Sequence, residues 1–414
     1  DINNTEDLNS NGVLDAGEDV NSNGVLDTGN GTIGAQLWDA GASGKILPAA
    51  SRKVVTYNPG ASAAPRGVDF LWASLTMTQQ AALNLNTTIA IPAVTPLNVG
   101  QKTLDYIRGD QAQEQTAGPF RKRTVILGDI VNSDPWFVGS ENFGYDSLPG
   151  TEGSSYVTFR NGSTYQQRRR MLYFGANDGM LHGIDAGSYS SGTFNTGTGA
   201  EKLAYVPDAV IPNLKNLTSP SYTHQYFVDG SPKAGDAYIN SAWKTVLLGT
   251  TGAGGKAVFA LDVTAPDSFD SSNVLWEIST TTSPTASDRT TDDTSVAGFQ
   301  NNLGYTLPQP SLVRMYDGSW AAIVANGYGS TNNKAVLYII NAATGNLIRS
   351  IDTQAGSSTP AGSENGLSTP IALDVDNDRI TDYIYAGDLK GNLWKFDVTN
   401  SNPNQWDVAY RSGS

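Results

Sequence analysis

The residues best suited to chemistry lie near the C-terminus. Asp374-Val-Asp376-Asn-Asp378-Arg-Ile380-Thr-Asp382 puts carboxylates at positions 1, 3, 5 and 9 of a loop, with the Ile380 carbonyl at position 7. Hard oxygen donors at that spacing suit Ca2+, which takes about six to eight of them. Four aspartates this close repel one another unless a cation sits among them. Arg379 stands at position 6, where Gly makes the sharp turn easily, so the turn carries a modest backbone cost. No Glu follows at position 12; water or Asp388 would complete the shell. The loop therefore predicts a metal site between two strands, with stapling of the hairpin as its simplest role.

A second set of calcium loops is predicted at the N-terminus. Asp7, Asn9, Asn11 and Asp15 fill positions 1, 3, 5 and 9 of a twelve-residue loop, Val13 offers a carbonyl at 7, and Glu18 can bind bidentately at 12. Gly12 permits the turn. The pattern restarts at once with Asp19, Asn21, Asn23, Val25 and Asp27, ending on Asn30, a weaker last ligand. Asn3 and Glu6 fit the end of a preceding copy, so the chain is expected to begin inside a longer array. A period of twelve leaves no room for the flanking helices of paired EF-hands. The segment resembles the tandem calcium repeats of dockerins and thrombospondin type 3 segments, and the 374–382 loop resembles the calcium hairpins of integrin α-subunit propellers. Ligands rich in Asn carry little charge, which points to modest affinity.

Other motifs are weaker. Arg108-Gly109-Asp110 is the tripeptide read by some integrins and is a candidate adhesion motif. The Gly-rich run 249–256 fails as a phosphate loop, because Thr250 and Ala257 stand where Gly and Ser or Thr are required. His182 reads as a satisfied mid-strand residue and His224 as a loop residue, with no nucleophile elbow near either. Arg168-Arg169-Arg170 reads as a solvated strand start.

Composition narrows the classes. Lys+Arg 26 against Asp+Glu 40 gives a net charge of -14, which disfavours nucleic acid and anionic membrane surfaces and favours cations. The absence of Cys excludes disulfides, thiolate metal sites and cysteine nucleophiles. No apolar run is long enough to span a bilayer as a helix. The first residues are no signal peptide, so an exported protein would already have lost its signal.

The elements that must carry these residues are mostly strands. From about 120 onward one unit recurs: apolar strand, Gly-containing turn, apolar strand, terminal Asp or Asn. Copies run from Met171 to Asp185, Val246 to Asp262, Ala321 to Asn341 and Tyr383 to Asp397, with a degenerate one starting at Val125. Asp178-Gly179 is a hairpin signal. Repeated small sheets of this kind build β-propellers. Three parts are expected: calcium repeats over 1–31, a partly helical linker over 32–119, and an all-β propeller over 120–414. Helices are predicted from Trp72 to Leu85, capped by Ser74 or Thr78, and over 101–115, broken at Gly109. Four or five blades are visible, so the expectation is either that residues beyond 414 complete the ring or that the chain is a fragment.

These residues together resemble the PilC/PilY-type pilus proteins. The resemblance rests on Arg121 to Pro135, Tyr173 to Asp185, Ala204-Tyr-Val-Pro207, Phe227-Val-Asp229-Gly230 and the 374–382 loop, in the family's order. It implies a modified quinoprotein-like β-propeller, exported and carried at the type IV pilus tip or cell surface. It implies roles in pilus assembly, retraction control and adhesion, with minor pilins and surface ligands as partners. It further implies that Ca2+ at Asp374, Asp376, Asp378 and Asp382 governs extension against retraction, and that an Arg-Gly-Asp before the propeller has precedent. The resemblance implies a large variable N-terminal adhesive domain, in whose place this sequence offers calcium repeats and linker, and Arg379 departs from the loop pattern. Two other functions remain open: a structural filament or matrix component rigidified by calcium, and a quinone-dependent dehydrogenase. The lack of Cys counts against the dehydrogenase, whose class often carries a vicinal disulfide.

Overall fold

The computed structural model describes residues 36–61, 65–84, 99–190, 192–281 and 296–410. The chain divides into the units Asp1–Asp39 and Ala40–Ser414, and every described strand lies in the second. The predicted calcium loops between Asp7 and Asp27 lie outside the described residues.

In chain order the elements are β1 (Val54–Tyr57), β2 (Gly67–Asp69), α1 (Met77–Leu83), α2 (Val99–Ile107), β3 (Trp136–Val138), α3 (Gly150–Asn161), α4 (Ser163–Gln166), β4 (Arg170–Ala176), β5 (Met180–Ser190), β6 (Thr193–Thr196), β7 (Glu201–Val206), α5 (Ile211–Leu214), β8 (Lys233–Ile239), β9 (Ala242–Thr250), β10 (Ala257–Asp262), β11 (Val274–Ser279), α6 (Val296–Asn302), β12 (Ser311–Arg314), β13 (Trp320–Ala325), β14 (Val336–Asn341), β15 (Leu347–Asp352), β16 (Ile371–Leu373), β17 (Tyr383–Gly387), β18 (Leu393–Asp397) and β19 (Asp407–Val408).

They form four sheets, antiparallel throughout except for the β1–β7 pair of the first. Three have the order β8-β9-β10-β11, β12-β13-β14-β15 and β16-β17-β18-β19. The first runs β3-β4-β5-β7, extended outward by β1, which is parallel to β7, and by β2. The first strands β3, β8, β12 and β16 stand side by side in that order. This is a β-propeller arrangement, each sheet a blade. Among the described residues no strand of the fourth sheet pairs with the first.

Each inner blade is buried on both faces, because successive side chains of a strand point to opposite sides. In β9, Leu247 faces the first blade beside Tyr205, while Val246 and Leu248 face the third beside Val324. In β13, Ala322 and Val324 face the second blade and Ala321 and Ile323 the fourth. Ile323 is fully buried, worth about 1.5–3 kcal/mol over leaving it in water. Each predicted strand–turn–strand copy is the second and third strand of one blade.

Polar side chains at the ends of the second strands lock each blade to the next. Asn177 Oδ1 accepts the Phe227 N–H at 3.0 Å, Thr251 and Thr306 hydroxyls meet at 3.2 Å, and Asn326 Oδ1 accepts the Leu367 N–H at 3.1 Å. The backbones approach so closely that a Cβ on Gly175 would lie 2.3 Å from the Val228 carbonyl oxygen. Gly is required there.

Several expectations are corrected. The segment 32–119 is no mere linker: β1 and β2 extend the first sheet, and α1 and α2 pack on it through Leu83 and Leu104. The 72–85 helix is split into a 3-10 turn at Trp72–Ser74 and α1. Its cap is Thr76 in a capping box with Gln79, and Thr78 lies inside the helix. Residues 125–128 form no strand; Gly128 is held by Asp178 at 3.0 Å instead.

Arg168 and Arg170 are buried rather than solvated. Arg168 donates to the Gly139 carbonyl at 2.6 Å and to Thr245 at 2.6 Å, and its guanidinium covers the Tyr165 ring. Thr245 lies on β9, whereas Gly139 and Tyr165 belong with Arg168 to an insert between β3 and β4, residues 139–169, containing α3 and α4. Through α3 and α4 the insert reaches other blades: Glu152 pairs with Arg314 at 2.8 Å, and Tyr156 and Tyr165 donate to Asp236.

Candidate metal centre

The 374–382 loop joins β16 to β17. The carboxylate oxygens of Asp374 at its head accept backbone N–H groups further along, which curls the chain. Asp374 Oδ1 accepts the Asp378 N–H at 3.1 Å, and Oδ2 accepts that of Arg379 at 2.9 Å. The curl takes Asn377 to φ 65° and Arg379 to φ 71°, the left-handed region. Arg379 thus adopts what Gly would adopt freely, at a cost of about 1 kcal/mol.

Three carboxylates converge. Oxygens of Asp374, Asp376 and Asp382 all lie within 4.8 Å of one another. Ca2+ binds oxygen at about 2.3–2.6 Å, so ligands on opposite sides of the ion lie about 5 Å apart. The cluster fits such an ion in both donor type and spread. Asp378 is turned toward its own loop and accepts the Ile380 N–H at 2.7 Å. Its carboxyl is pushed up by partial burial and by the charges of Asp376, Asp374 and Asp382. Those neighbouring charges are the ones a bound cation would neutralise.

The back of the loop is fixed by the fold. Buried Asp382 accepts the Val375 N–H at 2.6 Å and the Tyr316 hydroxyl at 2.9 Å. The Thr381 N–H donates to the Arg314 carbonyl at 2.9 Å. The end of the loop is thereby held against the third blade, while Asp376 at its tip is exposed.

Residues 127–413 match the model of the PilY1 β-propeller domain. The chain belongs to the PilY1 family. A PilY1 homologue of Xylella fastidiosa, called a type IV pilus biogenesis factor, is 40% identical over 334 residues, covering 78% of this chain and 20% of the relative. The type IV pilus biogenesis factor PilY1 of Pseudomonas aeruginosa strain UCBPP-PA14 is 39% identical over 379 residues, covering 90% of this chain and 29% of the relative. The chain thus spans between a fifth and a third of these relatives' length. The crystal structure of the P. aeruginosa PilY1 C-terminal domain is also similar, at 34% identity and a TM-score of 0.49, covering 66% of this chain and 50% of that one.

Within this PilY1 propeller the other candidates fall elsewhere. Arg108 is only 5% exposed, and its guanidinium donates to the carbonyls of Phe70, Ala49 and Arg52. Gly109 follows at φ 105°, and Asp110 caps the Ala112 N–H. An integrin-type contact needs the Arg displayed, so this geometry corrects the adhesive reading of Arg108–Asp110. The Arg is spent on joining α2 to the first sheet.

His182 is fully buried, as a structural residue should be, but it belongs to a charged chain that sequence reasoning missed. Nδ1 lies 2.7 Å from Glu201, Nε2 lies 3.1 Å from Asp178, and Glu201 forms a two-pronged pair with Arg52 at 2.7 Å. Burial alone would lower the imidazole; Asp178 and Glu201 outweigh it and raise it to about 9. His224 is exposed and bonds to Asp129 at 2.7 Å. The Gly-rich run 249–256 is a hairpin turn between β9 and β10, with the Lys256 ammonium on the Gly329 carbonyl.

Proposed function

We propose that this chain is the propeller portion of a non-enzymatic, calcium-binding protein of the type IV pilus, acting at the pilus tip or cell surface in assembly and in control of retraction. Its partners would be pilins, with surface ligands engaged by parts other than Arg108–Asp110. The observation that carries the reading is the convergence of Asp374, Asp376 and Asp382 in a strand-connecting loop of a PilY1-family propeller. When bound, calcium would supply the positive charge that holds this loop closed. Asp374, Asp376 and Asp382 would hold it, with Asp378 and the Ile380 carbonyl swinging in to complete the shell. The names of the relatives support the pilus role. The net charge of -14 supports cations over phosphate-bearing partners.

The test is Asp378→Ala in cells that depend on this protein, with surface pili counted. Altered piliation together with the loss of one bound ion supports the reading. Unchanged piliation with the ion lost would reduce the site to a staple.

A further inference from the structure

The calcium loop has a contact that a simple staple does not need. Arg379 projects from its turn against the insert of the first blade. A Cβ added to Gly144 would lie 2.9 Å from Arg379 Nη2 and 3.0 Å from Nε, so the guanidinium rests directly on that glycine. Gly144 is itself left-handed, at φ 73°. The next loop residue, Ile380, packs against the same buried cluster, with Trp243 and Trp320 in it, against which Phe143 and Tyr145 also pack. Tyr145 stacks on Trp243 at 5.6 Å and meets Trp320 edge-on at 4.8 Å. A continuous path of contacts therefore runs from the metal loop of the fourth blade through the insert of the first to aromatic residues of the second and third.

The backbone that places Arg379 is set by the acidic cluster. Its N–H is held by Asp374 Oδ2 at 2.9 Å, and the Ile380 N–H by Asp378. With no cation, repulsion among Asp374, Asp376, Asp378 and Asp382 favours opening of this curl. Opening withdraws Arg379 from Gly144 and Ile380 from the cluster on which Phe143 and Tyr145 pack. We infer that Arg379 and Ile380 are positioning residues that couple cation occupancy of the loop to the docking of the 139–169 insert, so that the insert, not the loop alone, reports calcium to a partner. This rests on the loop holding calcium.

Coupling of this kind is reciprocal: whatever loosens the insert must also weaken calcium binding by the same factor, commonly about 5- to 150-fold. The test is amide exchange of residues 142–148 in the full chain, with and without CaCl2, beside calorimetric titration. Wild type should show exchange slowed by on the order of tenfold when calcium is added. Asp378→Ala should lose that response. Gly144→Ala, whose methyl displaces the guanidinium, should bind calcium several-fold more weakly although it touches no ligand. Arg379→Gly keeps the left-handed turn and guards against misfolding; at saturating calcium it should show exchange close to the calcium-free level. If wild type binds calcium at this loop by calorimetry and 142–148 exchanges identically in both states, the coupling is overturned while the calcium reading stands. If Asp376→Ala, which removes one of the converging carboxylates, removes no bound ion, both are overturned.

Discussion

The buried charged chain Arg52–Glu201–His182–Asp178 should make the stability of the first blade depend on pH on both sides of neutrality. All four groups lie inside the first sheet or against it, with His182 fully buried. The imidazole is raised from 6.5 to about 9. A raised folded value contributes stability that is fully present below about pH 6.5 and is lost as pH rises through about 9. At about 1.4 kcal/mol per unit, that contribution is about 3 kcal/mol as an order of magnitude. Glu201 works the other way. Burial would raise it, but Arg52 and His182 hold it down at about 2, against an ordinary 4.5. Its contribution is present above about pH 4.5 and is lost as pH falls toward 2. The cluster is therefore strongest between about pH 4.5 and 6.5. The direct assay is NMR of the imidazole ring protons, since the chain has only two histidines and His224→Gln assigns the second signal. His182 should titrate near 9, and His182→Gln should flatten the stability profile between pH 6.5 and 9. Titration of His182 below 6.5 would show that burial outweighs the carboxylates and would refute the reasoning. Glu201→Ala, which strands the buried Arg52 and leaves His182 with Asp178 alone, should cost about 3–5 kcal/mol.

Two further outcomes follow from buried polar groups. Asn326 uses its whole amide, donating to the Asn302 and Lys334 carbonyls and accepting the Val336 and Leu367 N–H groups. Asn326→Ala orphans two buried N–H groups at about 1–3 kcal/mol each; a change in urea unfolding below 1 kcal/mol would contradict the blade-locking role. Arg108→Ala should lower the melting temperature, because three backbone carbonyls lose their donor, whereas Asp110→Ala should lower it far less; equal effects would contradict the burial of Arg108.

The sequence carried the blades and the metal loop for different reasons. Strands such as Ala257–Asp262 are buried on both faces, so they read as unbroken apolar runs bounded by Gly and Asp. The loop was readable because its ligands are local, all five of them lying within 374–382. What could not be read depends on distant partners. Arg168 looks like a solvated charge until Gly139, Tyr165 and Thr245 are brought around it. Arg108 likewise looks like a displayed motif until Ala49 and Phe70 present their carbonyls. The α3 helix, Gly150–Asn161, has two glycines and only Tyr156 and Gly153 buried, so no apolar periodicity announces it. One signal was there to be used: Pro135, Pro232, Pro308 and Pro370 each stand shortly before the first strand of a blade and mark all four blade starts.

The most direct test of the central claim is calorimetric titration of the full chain with CaCl2 beside Asp376→Ala, which leaves residues 1–35 untouched. Wild type should bind one more Ca2+ than the variant, with both retaining the same circular dichroism spectrum. Equal stoichiometry and equal affinities in the two proteins would mean that the 374–382 loop holds no calcium.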